Sequence, residues 1–390
     1  MMAYEKLLSP TVLQMKPSGI RKYFDIVATM EGVISLGVGE PDFPTPKAIR
    51  DAGIASLQDN KTKYTSNWGL IELRKEICNY VERKYHLSYN PADEVLVTVG
   101  GSEAIDACVR AVTAPGDEVI IIQPSYVCYE PIVSLAGGTP VIIETKAEDQ
   151  FKVTPEQLRA AITPKTKALI LPYPSNPTGG IMNRADLEAI AAVLRETNIL
   201  VISDEIYAEL TFGDEPHVSI ASIDGMQERT LVVNGFSKTF SMTGWRLGYA
   251  CGPAPIVKQV TKIHQYAIMC APTTAQYAAI EALRNGDEDV KKMREVYNMR
   301  RRMIVDGFNK LGLTCHEPLG AFYAFPCIKS TGMSSDEFCE KLLYSEKVAI
   351  VPGTAFGKGG EGFVRASYCY STEHIQEALT RIERFLKTLK

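Results

Sequence analysis

Lys238 is the residue of this sequence whose chemistry depends most on its neighbours. It lies shortly after the apolar run 230–233, which is typical of a buried strand. A lysine at a strand end is usually a solvated charge. Here Ser237 offers a hydroxyl beside it, and Arg246, eight residues on, carries a planar guanidinium suited to a phosphate. An amine beside an anion site indicates a Schiff base to a phosphorylated aldehyde.

Short apolar runs rich in β-branched residues surround this lysine along the chain. They are residues 95–99, 118–122, 140–143, 168–171, 199–202 and 231–233. Most are separated by helical patterns, so they predict an α/β fold with a mainly parallel sheet covered by helices on both faces. Residues 246–251 predict a last strand, antiparallel to the others. Ligands of such sheets bind at the carboxyl ends of the strands.

Polar motifs follow the first two runs at that edge of the sheet. After residue 99 comes Gly100-Gly101-Ser102-Glu103, in which the glycines allow close backbone approach and Ser102 could cap the next helix. Free amides at a helix start bind phosphate, although this string is also common in plain capped turns. After the second run, Tyr126 is either a structural aromatic or a ring that faces a ligand.

Two further motifs follow the fourth and fifth runs. The string PSNPTG at 174–179 is a loop held rigid by prolines, and it contains Asn176. Asp204 and Tyr207 follow the run 199–202. An acidic residue after a strand is usually an exposed cap, so Asp204 alone does not identify a site.

The loop at 37–46, GVGEPDFPTP, contains two glycines and three prolines and is predicted to be fixed. It is not a dinucleotide fingerprint, because Pro41 stands where GxGxxG would open a helix. Before it, a helical pattern follows Ser18-Gly19-Ile20-Arg21. After it, a turn with Tyr64 leads into an amphipathic helix whose stripe of Leu70, Leu73, Ile77 and Val81 predicts core.

The last ~80 residues mix strands and helices, which predicts a second, smaller domain. A long helix at 287–311 is interpreted as a packed connector, and its basic run at 300–302 as a solvated face. Arg365 lies in the middle of an apolar strand. Because an unpaired buried charge is costly, Arg365 needs an anionic partner.

Composition excludes several classes of function. The chain has 390 residues, a net charge of −4 and a pI near 5.9, so no basic field favours nucleic acid. Nine cysteines without CxxC spacing suit a reducing compartment, and five histidines without an HxxxH pair indicate no metal site. We find no signal-peptide pattern and no apolar run of about 18 residues. A cytoplasmic protein that does not enter membranes is expected.

The segment SKTFSMTGWRLG at 237–248, together with the motifs above in the same order, resembles the class I pyridoxal phosphate (PLP) aminotransferases of fold type I. The similarity extends from about Pro10 to near the C-terminus, and it points to the bacterial branch of aspartate, aromatic and N-acetyl-diaminopimelate aminotransferases. It implies a mainly parallel seven-stranded sheet flanked by helices and a smaller α+β domain. The expected parts are an N-terminal arm with part of the small domain (1–46), a large PLP-binding domain (47–286) and a small C-terminal domain (287–390).

The resemblance also implies roles for single residues. Lys238, Asp204 and Tyr207 would be catalytic: Lys238 binds PLP and moves the α-proton, Asp204 pairs with the pyridinium N–H, and Tyr207 meets O3′ opposite Asn176. Tyr126 would stack on the ring. The other cofactor-binding residues would be Gly101, Ser102, Glu103, Ser237 and Arg246, with Tyr64 reaching the PLP phosphate of a neighbouring subunit in a homodimer with shared active sites. Gly39, Asn176 and Arg365 would bind the substrate, with Arg365 on its α-carboxylate.

The expected reaction moves an amino group between an L-amino acid and a 2-oxo acid, with glutamate and 2-oxoglutarate as one pair. The sequence departs from many members at Gly235, where they have a phosphate-binding serine, so Ser237 or Ser102 must supply that hydroxyl. No arginine can be assigned to a distal carboxylate, which leaves the second substrate open.

Two alternatives stay open at this point. A PLP-dependent carbon–sulfur lyase on the same fold would share every cofactor residue. A non-catalytic regulator would need a DNA-binding extension, and only about 30 residues precede the loop at 37–46.

Overall fold

The computed structural model describes residues 4–17, 19–20, 27 and 29–389. Ser18, Arg21 and most of the helical pattern predicted after them lie outside the described residues. The first regular elements are α1 (Pro10–Gln14), β1 (Ile34–Ser35), α2 (Lys47–Gln58) and α3 (Ile71–Tyr85). The predicted core stripe of α3 is confirmed, because Leu73, Ile77 and Val81 are fully buried.

The centre of the fold is a seven-stranded sheet. Its strands are β2 (Val95–Thr98), β3 (Glu118–Gln123), β4 (Thr139–Glu144), β5 (Thr166–Leu171), β6 (Leu200–Asp204), β7 (Thr230–Gly235) and β8 (Gly248–Cys251). Their order across the sheet is β2-β8-β7-β6-β5-β3-β4. Only β8 runs antiparallel to its neighbours, β2 and β7, as predicted.

Helices cover both faces of this sheet. They are α4 (Gly101–Val112), α5 (Tyr129–Leu135), α6 (Pro155–Ala161), α7 (Arg184–Arg195), α8 (Ala254–Ala267) and α9 (Thr273–Asn285). Successive strand residues enter different cores: Ile121 packs in one cluster, and Ile120 and Ile122 in another. Burial on both faces explains why the strands are apolar without alternation.

One predicted helix start is wrong. Ser102 does not cap α4, because the N-cap is Gly100 and no side chain caps the helix. Gly100 has φ 81°, a conformation that glycine adopts without strain. Ser102 therefore lies inside the first turn of α4.

The C-terminal part forms a smaller unit around α10 (Asp287–Lys310). Its other elements are β9 (Tyr323–Ala324), α11 (Ser335–Glu346), β10 (Val348–Ala349), β11 (Val351–Pro352), β12 (Val364–Ser367) and α12 (Thr372–Lys387). Strands β11, β12 and β9 form an antiparallel sheet, and β10 pairs in parallel with β1. The N-terminal segment thus joins this unit. The domain boundaries at residues 46 and 286 stay a prediction.

The basic run on α10 is a second correction. Arg300 and Arg301 are buried, and only Arg302 is exposed. Arg300 Nη1 lies 2.9 Å from Asp42 Oδ1, and Arg301 Nη1 lies 2.7 Å from Glu317 Oε1. Two of the three arginines therefore hold neighbouring segments, because their long side chains reach acids that are distant in sequence. Through Asp42, Arg300 anchors the loop at 37–46.

The described residues contain neither a membrane-spanning helix nor a metal-binding cluster. None of their helices combines the length and apolar character needed to cross a bilayer. Nor do they contain a group of three or more histidine, cysteine, aspartate or glutamate side chains arranged to hold a metal ion.

Candidate active site

A cavity of about 270 Å³ opens at the carboxyl ends of the central strands, between the large sheet and the smaller unit. It brings together most of the residues predicted from the sequence. They are Gly39, Gly101, Ser102, Tyr126, Asn176, Asp204, Tyr207, Ser237, Lys238, Arg246 and Arg365. Three cationic side chains and one buried acid therefore share one small space.

Lys238 follows β7 and opens into this cavity. Its Nζ donates a hydrogen bond to the Gly39 carbonyl at 2.7 Å and lies 5.7 Å from the centre of the Phe322 ring. Protein surrounds most of the amine, and this loss of hydration lowers the pKa of Lys238 to about 8. Near neutral pH a useful fraction of the side chain is therefore neutral, the form that attacks an aldehyde.

Asp204 ends β6 and is only 6% exposed. Its Oδ2 accepts a hydrogen bond from the Tyr129 hydroxyl at 2.6 Å, and its Oδ1 accepts from the Ile206 amide at 3.2 Å. Burial raises the pKa of Asp204, while these two hydrogen bonds act in the opposite direction. A buried carboxylate held in this way is well placed to accept a further N–H from a cationic ring.

The start of α4 forms an anion site at the other end of the cavity. A Cβ at Gly100 would lie 2.7 Å from Arg246 Nη2, so glycine is needed there for the guanidinium to approach the helix. Ser102 and Ser237 line the same cavity as Arg246. Free amides of a helix start, two hydroxyls and a guanidinium suit a phosphate.

Gly235 has a steric reason to be glycine. A Cβ on it would lie 3.0 Å from Ile206 Cδ1 and 3.1 Å from the Gly248 Cα. A serine at this position would have to displace the backbone of β8. The hydroxyl that many family members carry here must come from elsewhere, and both Ser102 and Ser237 line the cavity.

Arg365 lies on β12 and is 2% exposed. Its guanidinium carbon lies over the rings of Tyr323 and Phe356, 4.4 and 4.8 Å from their centres. It donates to Asn176 Oδ1 at 2.9 Å and to the Gly37 carbonyl at 2.5 Å.

Its charge, however, is not neutralised. Arg365 Nε has no partner, and in the described ranges no carboxylate forms an ion pair with Arg365. A buried cation without a counter-ion is costly, so an anionic ligand would stabilise it. This environment fits a substrate carboxylate.

Aromatic side chains complete the walls. The hydroxyls of Tyr207 and Tyr323 are 2.8 Å apart, and both residues are buried. Tyr126 packs edge to face on Tyr129, with ring centres 5.8 Å apart. The residue that holds Asp204 therefore also supports the ring of Tyr126.

Two predicted residues do not meet in the cavity. Tyr64 is 80% exposed and contributes nothing to its lining. The Glu103 carboxylate turns away, because it accepts from the Val99 amide at 3.0 Å and contacts His264 Nδ1 at 3.1 Å. Only the backbone amide of Glu103, in the first turn of α4, remains available to an anion.

Sequence reasoning missed two cavity residues with clear partners, Tyr129 and Tyr323. Tyr129 could have been found, because it follows Tyr126 by three residues shortly after a strand, at the edge of the sheet where ligands bind. Tyr323 gave no comparable signal, since its partner Tyr207 is 116 residues away.

The cavity fits PLP on its own chemistry. It offers an amine with a lowered pKa for the aldehyde, a buried carboxylate for the pyridine nitrogen and an anion site for the phosphate. Because Gly100 has no side chain, Arg246 can lie close to the start of α4 at the anion site. These groups are the ones that would hold the cofactor.

Comparison with known proteins gives a consistent result. The family described as Aminotransferase class I and II matches residues 31–382. A Bacillus subtilis protein named "Probable N-acetyl-LL-diaminopimelate aminotransferase" is 45% identical over 98% of this chain and 96% of its own. An aspartate aminotransferase of Pyrococcus abyssi is 46% identical over 96% and 97%. The crystal structure of an aromatic aminotransferase from Pyrococcus horikoshii OT3 superposes with a TM-score of 0.90 and 42% identity, covering 95% of this chain and 99% of that one.

Proposed function

Since the chain belongs to the class I and II aminotransferase family and is therefore a PLP-dependent aminotransferase, we propose that the cavity around Lys238 is its active site. It moves an amino group between an amino acid and a 2-oxo acid. The observation that carries the proposal is that Lys238, Asp204 and an unneutralised Arg365 line one cavity. An amine, an acid for a ring nitrogen and a carboxylate site are what transamination requires.

PLP, when bound, supplies an aldehyde for the amino group and a ring that withdraws electrons from the substrate Cα. Its phosphate would be held by Arg246, Ser237, Ser102 and the first amides of α4. Asp204, held by the Tyr129 hydroxyl, would pair with the N–H of the ring. Tyr126 would cover the ring, and Asn176 and Tyr207 would donate to its O3′.

Arg365 orients the substrate through its carboxylate. Its fork is fixed by two aromatic rings and by Asn176, so a carboxylate binds in one orientation. Lys238 Nζ then takes the proton from the substrate Cα as a general base. Its lowered pKa keeps a fraction of the amine neutral for this step.

We propose glutamate and 2-oxoglutarate as one substrate pair. The other amino donor is of the aspartate, aromatic or N-acetyl-diaminopimelate type. Within the described lining, the apolar side chains of Ile20 and Val38 favour the aromatic type. An uncharged side chain would suit such walls.

The enzyme is proposed to be a homodimer in which Tyr64 reaches the phosphate of the partner's cofactor. Tyr64 is exposed together with Tyr266, Ile268 and Met269. Asn67 Nδ2 donates to the Met269 carbonyl at 2.8 Å, so the two segments form one surface. Large exposed apolar side chains grouped in this way favour a protein interface.

We also propose that the enzyme is cytoplasmic and serves amino-acid biosynthesis. All nine cysteines are unpaired in the structure, and free thiols suit a reducing compartment.

A donor panel tests the reaction and its substrate. The purified holoenzyme is mixed with single amino acids, and the conversion of its visible spectrum is followed in half-reactions. Each substrate should convert the spectrum without a second substrate, and 2-oxoglutarate should restore it. Aromatic amino acids are expected to give the highest kcat/KM. Pyruvate release from cystathionine without a 2-oxo acid acceptor, and no spectral conversion by other amino acids, would instead identify a carbon–sulfur lyase.

A further inference from the structure

On the basis of the role assigned above to Tyr207, we propose that Tyr323 is a positioning residue that couples the substrate-carboxylate site to the cofactor O3′ site. Tyr323 lies on β9 in the smaller unit and is 1% exposed. Its hydroxyl lies 2.8 Å from the Tyr207 hydroxyl, and its ring lies 4.4 Å from the Arg365 guanidinium. One side chain therefore touches a residue from each of two binding functions.

Tyr323 also sets the position of the loop that closes over Lys238. A Cβ at Gly39 would lie 2.0 Å from the Tyr323 hydroxyl, so the loop backbone rests directly on this oxygen. The carbonyl of the same glycine accepts from Lys238 Nζ at 2.7 Å. Any side chain larger than glycine at residue 39 would push the loop and the amine apart.

The Tyr207–Tyr323 pair has a direction once the cofactor is bound. With the cofactor bound, Tyr207 would donate its single hydroxyl hydrogen to O3′. Tyr323 must then donate the hydrogen bond between the two hydroxyls. A hydroxyl that accepts one hydrogen bond becomes a stronger donor of the next. Tyr323 therefore strengthens and orients the donor at O3′ without touching the cofactor itself.

The ring of Tyr323 has a separate effect. A cation over the face of an aromatic ring is attracted to that ring. Arg365 has this arrangement with Tyr323 and Phe356. The phenyl ring thus supports carboxylate binding, and the hydroxyl supports O3′. The two effects can be separated by substitution.

The first test removes the hydroxyl alone. The pH at which the visible absorbance of the bound cofactor changes is measured for wild type, Tyr207→Phe, Tyr323→Phe and the double variant. O3′ is more basic without the hydrogen bond from Tyr207. In Tyr207→Phe, the pH at which the absorbance changes should therefore be about one to two units higher than in wild type. Tyr323→Phe should move it in the same direction by roughly 0.3 unit. In the Tyr207→Phe background, Tyr323→Phe should add nothing.

The second test removes the ring. Binding of a substrate-like monocarboxylate without an amino group is titrated by the change it causes in the cofactor spectrum. Tyr323→Phe should bind it as wild type does, and Tyr323→Leu should bind it roughly tenfold more weakly. Tyr89→Phe is the matched control, because the buried Tyr89 hydroxyl has no hydrogen-bond partner in the residues that the structure describes. It should change neither measurement.

The outcomes separate this inference from the proposed function. If Tyr207→Phe shifts the absorbance change but Tyr323→Phe leaves it in place, Tyr323 does not act through Tyr207 and the coupling is wrong. Equal carboxylate binding by Tyr323→Phe and Tyr323→Leu overturns the role of the ring. If Tyr207→Phe itself shifts nothing, the role proposed for Tyr207 fails first.

Discussion

The two ends of the cavity are built in different ways. The end proposed for the phosphate uses helix amides and residues that lie within a few positions of strands of one sheet, such as Ser102 and Arg246. The carboxylate end uses Arg365, which is held by Gly37, Asn176, Tyr323 and Phe356 from four distant segments. Backbone donors survive most substitutions, whereas a stacked side chain depends on each neighbour. The phosphate end should therefore tolerate change better than the carboxylate end.

The largest effect is expected where both ends meet, at Lys238. Lys238→Ala should retain PLP through the phosphate end but lose the pH-dependent absorbance, and turnover should fall at least about ten thousandfold. Absorbance titration and single-turnover rates measure this. Lys262→Ala, on an exposed side chain that donates a hydrogen bond to Gln259 of the same helix, is a control that should leave both unchanged. A variant that keeps the wild-type spectrum would show that another amine binds the aldehyde.

Asp204 tests whether charge or shape matters at the ring. Asp204→Asn removes the negative charge, while Asp204→Glu keeps it at a poorer distance. Turnover should fall roughly a hundredfold further in the amide, because a neutral side chain does not keep the ring nitrogen protonated. Half-reaction rates for the two variants give the comparison. Equal losses would mean that geometry, not charge, is its contribution.

Matched lysine substitutions compare the two ends directly. Arg365→Lys loses the bidentate fork. It should weaken the binding of every amino acid and 2-oxo acid by about tenfold to a hundredfold, with PLP affinity unchanged. Arg246→Lys should instead weaken the binding of PLP. This loss should be smaller than the loss of substrate binding in Arg365→Lys, because helix amides and hydroxyls remain at the phosphate. Substrate KM values and PLP titration of the cofactor-free protein separate the two. Loss of only one substrate in Arg365→Lys would place this residue in the side-chain pocket.

Tyr64 tests whether the phosphate end is shared between subunits. Tyr64→Phe removes one hydrogen bond to a charged group, so the PLP dissociation constant should rise on the order of tenfold. Mixed dimers with Lys238→Ala provide the control. The site that keeps Lys238 then takes Tyr64 from the other chain, and its PLP affinity and activity should recover toward wild type. Heterodimers in which that site still behaves like the Tyr64→Phe homodimer would place Tyr64 in its own chain's site.

The smallest effect is a pH dependence of cofactor uptake. Burial lowers the pKa of Lys238 to about 8, and only the neutral amine attacks the aldehyde. The neutral fraction rises as pH passes upward through this value. Recombination of PLP with the cofactor-free protein should therefore accelerate roughly fivefold between pH 7 and pH 8 and level off above pH 9. Stopped-flow absorbance measures this rate, and a flat profile over that range would contradict the lowered pKa.

The phosphate end and the central sheet could be predicted from the sequence because their signals are local. Each apolar run indicates a strand, and the residues of the proposed site lie within a few positions of a strand end. Asp204, the last residue of β6, is an example. The carboxylate end gave one signal, a charge inside an apolar strand. What holds that charge, including Tyr323, comes from pairing between segments that no local pattern specifies.

The errors have the same origin. A basic run on a helix normally faces water, but Arg300 and Arg301 meet acids that are distant in sequence, Asp42 and Glu317. Ser102 has the right residue type for a helix cap, yet the cap of α4 is Gly100, two residues earlier, which has a positive φ. In both cases the three-dimensional neighbours outweighed a sound local preference.

Because β8 runs antiparallel to β7, the short connection between the two strands carries both Lys238 and Arg246, two residues of the proposed cofactor site. Gly248, the first residue of β8, pairs with the last residues of β2 and β7, Thr98 and Gly235. A parallel strand in this place would need a crossover of a dozen or more residues, usually through a helix, and would present its final residue at this edge. Instead a single tight segment delivers both Lys238 and Arg246. In the proposed site, this one stretch of backbone sets the distance between the amine and the phosphate-binding group, so an insertion between Lys238 and Arg246 would move the two apart.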